Sequence, residues 1–216
     1  MGDIFREVDE ELRQERYEKL WQQYGRYVIY GAAAIVLVFG GWQGWTHYEK
    51  AQRESASAQY AAAIRLAAEN KTSEADAILA DLIGKGGGSY AVLARFHRAA
   101  LKAKTDDLAA AAAAYRALSD DSSLDESLRH AALVYSASHE MDAPGADPKA
   151  LGDRLSAAIA GDSAWRHSAR ELSGLIALKA GDDTQAKEHF QKLADDLDAP
   201  VNMRTRATQM ISVLGG

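Results

Sequence analysis

Between Tyr27 and Tyr48 the chain reads YVIYGAAAIVLVFGGWQGWTHY, 22 residues without Asp, Glu, Lys or Arg, closed by Arg26 and Glu49. As a helix this run reaches ~33 Å, enough to cross a hydrocarbon core of about 30 Å. A single span in lipid must satisfy its own backbone hydrogen bonds, so the helix is the form it takes there. Tyr24, Tyr27 and Tyr30 gather at one edge and Trp42, Trp45 and Tyr48 at the other, the aromatic belt of a membrane span. The competing reading is a buried core helix, but the rest of the chain is Ala-rich and amphipathic and offers no shell to enclose it. A cleavable signal peptide has a short basic start, an apolar run of about 7–15 residues and a small-residue cleavage site. Here 26 residues with seven acids precede a longer run, and bulky Trp45, His47 and Tyr48 end it. A retained anchor is expected at 27–48, with a charged segment at 1–26 and a domain at 49–216.

Orientation follows from Lys and Arg near the ends of a span. Arg13, Arg16, Lys19 and Arg26 precede it, whereas Thr46 to Tyr60 carries only Lys50 and Arg53. The bias places the N-terminus in the cytoplasm and the large domain outside, in a bacterium the periplasm. Within the run, Gly40 and Gly44 make a small-xxx-small pair, a geometry that admits a second membrane helix but recurs by chance.

The remainder excludes several classes of chemistry. There is no Cys, hence no disulfide framework, thiolate metal site, catalytic thiol or lipidated lipoprotein cysteine. Net charge is −6 with both signs interspersed, unlike the basic stripe of a nucleic-acid binder. The six histidines, His47, His97, His130, His139, His167 and His189, form no His-Glu-x-x-His motif. Neither a Gly-x-Ser-x-Gly elbow nor a dinucleotide fingerprint occurs. The expectation is no enzyme, no cofactor and no metal.

Helix formers dominate throughout. In residues 1–26, Ile4, Phe5, Val8 and Leu12 fall on one helical face and Tyr17, Leu20, Trp21 and Tyr24 on another. The first group either docks a cytoplasmic partner or belongs to a frayed tail. From Glu49 a helix runs to about Glu69, followed by a polar break at Asn70–Thr72. Ser73 reads as the N-cap of the next helix, with Glu74 and Asp76 in its first turn. Gly84–Ser89 reads as a flexible connector; without a Lys–Ser/Thr ending or a preceding strand it is no phosphate loop. Helices follow from Tyr90 to Lys104 and from Asp106/Asp107 to Leu118. Ser123 to Glu126 reads as a capping box, and Asp147–Pro148 as an N-cap with Pro at the first helical position. Further helices are expected at about 148–160, 163–180, 183–197 and 200–213, without strands.

Paired helices prompt a search for a period. Small Gly174 is followed twelve residues on by small Ala186 and then by Phe190, a spacing that resembles the tetratricopeptide repeat. The second-helix signature recurs at Ala75, Leu79 and Leu82 and at Ala111, Tyr115 and Leu118, offset by 36 and 75 residues. The unit near 125–160 looks degenerate, with Arg154 where a large apolar residue is expected. An all-α solenoid of helical hairpins is the expected fold, with an irregular helical bundle as the alternative. The helix from Pro200 would cap it. In that register Glu171, Leu175 and Lys179 face the groove, unless they are simply core or solvent-facing.

One arrangement ties these features together. A short charged segment, one span with a Trp-rich edge, then Ala51–Gln52–Arg53–Glu54–Ser55–Ala56–Ser57–Ala58–Gln59–Tyr60 leads into weak repeats. This resembles the YfgM-type family, ancillary subunits of the bacterial Sec translocon, most strongly from Gly25 to Ile64. The resemblance implies an inner-membrane protein with a periplasmic repeat domain that partners translocon subunits, periplasmic chaperones or exported polypeptides. The longer N-terminus and the Gly86–Gly88 connector depart from that pattern. A second reading is structural: span and leading segment organise an envelope or division complex, and the repeats only space it.

Overall fold

The computed structural model describes the backbone of residues 3–86 and 88–215, and their side chains except at 3–20, 28 and 32–34. The apolar faces expected in residues 4–20 therefore lie outside the described side chains. Among the described residues the secondary structure is helix alone, as expected: α1 Asp3–Ala68, α2 Thr72–Gly84, α3 Ser89–Lys104, α4 Leu108–Ser119, α5 Glu126–Glu140, α6 Pro148–Ile159, α7 Arg166–Lys179, α8 Asp183–Ala194 and α9 Val201–Val213. The chain divides into two compact units, Met1–Ala56 and Ser57–Gly216.

In the first unit the apolar run lies wholly within α1. One helix among the described residues, Trp21–Ala68, is long and apolar enough to cross a membrane. Its apolar window buries nothing; Leu37 is 75% and Val36 70% exposed. A core helix of a soluble protein would bury such side chains.

In the second unit, consecutive helices pack on one another from α2 through α9, and α7 also touches α5 and α9. This nearest-neighbour pattern defines a repeat array. The hairpins are the end of α1 with α2, α3 with α4, α5 with α6 and α7 with α8; α9 closes the stack. Three hairpin turns are built alike. Asn70 (φ 62°), Asp106 (φ 61°) and Gly181 (φ 77°) adopt the left-handed conformation. The next residue sends its N–H five residues back, Lys71 to the Leu66 carbonyl (2.9 Å), Asp107 to Lys102 (3.0 Å) and Asp182 to Ala177 (2.9 Å). This is the Schellman closure, which satisfies the last carbonyls of the first helix while reversing the chain.

Each second helix then buries a triplet at i, i+4 and i+7. The sets are Ala75, Leu79, Leu82; Ala111, Tyr115, Leu118; Leu151, Leu155, Ala158; and Ala186, Phe190, Leu193, none more than 5% exposed. The third set corrects the expected register. The turn from Met141 to Asp147 is longer than the other three, so the large residue falls at Leu155 rather than Arg154. Arg154 instead turns sideways to Glu140 Oε2 (2.7 Å) and Ser136 Oγ (3.3 Å). Three further boundaries differ. No side chain caps α2, which starts one residue before the expected cap Ser73. Ser123 does not cap α5, because its hydroxyl bonds Asp121 Oδ1 (2.6 Å) while Asp125 caps through the Ser127 N–H (2.9 Å). The helix expected from 163 begins at Arg166, since Ser163 Oγ accepts the Trp165 N–H and holds a turn.

Gly174 and Phe190 set the approach of α7 and α8. A Cβ built on Gly174 would lie 2.8 Å from Phe190 Cζ, and Phe190 is 1% exposed. Gly174→Ala is therefore expected to destabilise by about 1–3 kcal/mol through overpacking, and Phe190→Ala by about 3–5 kcal/mol through the cavity it leaves. Urea unfolding should show both losses as shifts in midpoint; an unchanged midpoint for Gly174→Ala would mean the hairpin can open without cost.

Candidate protein-interaction surface

The first helices of the hairpins, α3, α5 and α7, together with α9, carry one face of the array. Each of α3, α5 and α7 leaves large apolar side chains outside: Leu93 on α3, Leu128 and Tyr135 on α5, Leu175 on α7. The expected groove residues Glu171, Leu175 and Lys179 do share a strip of α7, but the structure uses them differently. Glu171 receives both Arg206 donors of α9, Nε at 2.7 Å and NH2 at 2.9 Å. Lys179 Nζ donates to the Met141 carbonyl (2.8 Å) and Asp142 Oδ1 (2.6 Å), just past α5. Only Leu175 remains open, so the strip offers one apolar contact between a bridge to the preceding hairpin and a bridge to the closing helix α9.

Similar bridges recur along the array. Arg98 grips Asp76 through Nε (2.7 Å) and NH2 (3.0 Å), tying α3 to α2. Arg95 reaches Asp121 at 2.6 Å. Glu140 lies between Arg116 of α4 and Arg154 of α6. Ser136, fully buried, donates to the Ala112 carbonyl (3.0 Å) beside it. Asp196 meets His167 Nε2 at 3.1 Å and Arg170 at 3.4 Å. None of these pairs was legible as a pair, since partners lie 14 to 37 residues apart with no fixed spacing.

Aromatic rings thread the middle of the stack. Tyr115 stacks on Tyr135 (5.2 Å between centroids) and His139 (5.8 Å), meets Phe96 at 6.0 Å, and Tyr135 meets the Trp165 edge at 5.7 Å. Burial, assisted by Tyr135, pushes the Tyr115 hydroxyl up to about 12. Tyr60 at the end of α1 bonds His97 Nδ1 of α3 at 2.9 Å, and His130 Nδ1 bonds Ser163 Oγ at 2.9 Å. The histidines of the repeat unit thus serve packing and turns. Among the described residues no group of three or more His, Asp or Glu is placed to hold a metal.

The repeat-packing residues all lie in the interior: Ala75, Leu79, Ala111 and Ala186 at 0%, Phe190 at 1% and Tyr115 at 5% exposure, with Gly174 buried as well. Residues 18–211 match the tetratricopeptide repeat-like domain family, and the chain belongs to it. It is a protein-interaction module of that class. No curated protein and no solved structure matches it.

The charged groups give the array a defined acid response. Asp121 is held at about 2, first by the Ser123 hydroxyl and then by Arg95. Burial would raise Glu140, but Arg116 and Arg154 hold it below its usual range. Asp196 is also held low, burial being overcome by the Asp198 N–H and His167. Burial pushes His97 and His189 down, Lys192 and Arg170 adding to the second. All five bind protons more weakly folded than unfolded, so acid favours the unfolded chain. Stability is expected to be full between about pH 6.5 and about pH 10, and to fall above that range because Tyr115 ionises more readily in the unfolded chain. On acidification it should fall as the histidines' unfolded value is passed, and again from about pH 4 towards about pH 2 with the carboxylates. Urea midpoints measured across this range check it; a midpoint that rises on acidification through the first step contradicts the assignment.

Proposed function

We propose that this protein is a membrane-tethered interaction module of the YfgM type, which holds its repeat unit beside the Sec translocon on the periplasmic face of a bacterial inner membrane and assists newly exported polypeptides. The observation that carries the reading is the charge-free helix from Tyr27 to Tyr48, exposed at its described side chains, in the same α1 that enters the first hairpin. An apolar surface of this extent requires a partner, and lipid fits its length and its aromatic edges. The Arg and Lys bias ahead of it supports a cytoplasmic N-terminus. The family match begins at residue 18, so it includes this helix together with the repeats. On this reading the protein performs no catalysis and needs no cofactor. Its partners are translocon subunits, periplasmic chaperones and exported chains, met by the outward apolar side chains Leu93, Leu128, Tyr135 and Leu175. Tethering raises the effective concentration of that surface beside the exit site.

Crosslinking in intact membranes is expected to recover translocon subunits and nascent exported chains. Replacing residues 27–48 by an unrelated span should retain the partners that the repeat unit recognises, whereas Leu175→Asp together with Tyr135→Asp should reduce their yield severalfold. Absence of translocon subunits from both preparations would favour the envelope-scaffold reading. Protease added to spheroplasts should degrade residues 49–216, and their protection would reverse the orientation.

A further inference from the structure

On the other side of α7, the second helices α6 and α8 stand apart and leave a cleft of about 630 Å³, with Ser173, Ile176 and Ala177 of α7 among its lining residues. One feature keeps it open and another gives it apolar character. Gly152 of α6 lines it, and a Cβ there would have no neighbour within 4 Å. Ile176 and Ala177 bring apolar surface to it, each 3% exposed.

The polar groups around the cleft are not balanced. Asp147, Asp153 and Asp182 line it with one ammonium, Lys149, and that ammonium is engaged by Asp153 at 2.8 Å. Asp147 and Asp182 each spend Oδ1 on capping the N-terminus of α6 and of α8. Lys149 feels the Asp147 charge but bonds only Asp153, so three carboxylates of the lining share one ammonium. His189, also in the lining, is pushed by burial towards its neutral form and so does not offset them. Beneath them Ser173 is only 4% exposed, yet its Oγ has no hydrogen-bond partner. A buried hydroxyl left unpaired is costly and is normally satisfied by protein, water or ligand.

We infer that this cleft receives a basic side chain, Lys or Arg, of a partner polypeptide. The aliphatic stem lies over Ile176 and Ala177, the charged head faces Asp147 and Asp182, and a donor reaches the Ser173 hydroxyl. Long basic side chains combine these two requirements, an apolar stem and a charged tip. The inference rests on the interaction reading above and adds a second, chemically selective site to it.

The test uses the full-length protein in uncharged detergent micelles and three fluorescein-labelled peptides. The peptides share one Ala/Leu/Ser scaffold and differ only in carrying Lys, Gln or Glu at the same positions. Anisotropy should rise with the Lys peptide, weaken with added salt, and stay flat with the Gln and Glu peptides. Gly152→Leu places a side chain in open space and replaces Gly by a better helix former. It should keep or raise the melting temperature and weaken the Lys peptide at least tenfold. Asp147→Asn with Asp182→Asn keeps both caps, because Asn caps as well as Asp, and should give a similar loss if Gly152→Leu folds poorly. Ser173→Ala should leave stability unchanged or raised while lowering affinity, a divergence that a purely structural serine would not show. The inference is overturned if the Lys peptide does not bind the wild-type protein, or if a folded Gly152→Leu binds it as the wild type does. Partners still crosslinked to that variant in membranes would leave the interaction reading standing on the α3, α5 and α7 face.

Discussion

A helix can be followed closely by an antiparallel partner only if the chain reverses within a few residues and the last carbonyls of the first helix are not stranded. Asn70, Asp106 and Gly181 solve this with one backbone conformation, left-handed φ followed by an N–H returned five residues back. For Asn and Asp that conformation is tolerated at some cost; for Gly it is free. The repeat follows from it. Once the reversal is fixed, the triplet on each second helix falls in one register against the first helix, and the interhelical contacts, ion pairs and clefts inherit their spacing. Where the turn differs, between Met141 and Asp147, the register moves.

That dependence explains what was and was not legible. The small–large–Leu spacing at Ala75, Ala111 and Ala186 could be read because identical turns keep those three helices in step. The third hairpin looks degenerate in sequence because its longer turn shifts the pattern by one residue, which puts Arg154 where the repeat spacing expects the large residue, Leu155. The spacing of Ser123 to Glu126 fits a capping box, and nothing local says that Asp121 holds the Ser123 hydroxyl more closely. The groove strip on α7 was identified in position but not in use. Glu171 and Lys179 have partners, Arg206 and Asp142, more than thirty residues away, and no periodicity announces them.

The two faces of the repeat unit differ in physical character as a result. On the α5, α7 and α9 side, adjacent first helices are cross-linked by Lys179–Asp142 and Glu171–Arg206. Such pairs contribute little stability one by one, but they engage Glu171 and Lys179 and leave Leu175 as the open side chain between them. On the α6 and α8 side, Gly152 withholds a side chain and the carboxylates of two N-caps remain. One face is thus apolar and bridged, the other open and acidic.

This division suits a tethered module better than a freely diffusing one. A few exposed apolar residues and a small acidic cleft make a modest contact area, and modest contacts give weak complexes unless concentration compensates. On the proposed reading, residence beside a membrane pore would supply that concentration without new contacts. It also favours loose recognition, since a polypeptide in transit must be released. On this view the uncharged run from Tyr27 to Tyr48 and the repeat surface are parts of one arrangement. A tighter groove would hold its client past the moment of handover, and a detached repeat unit would seldom meet it.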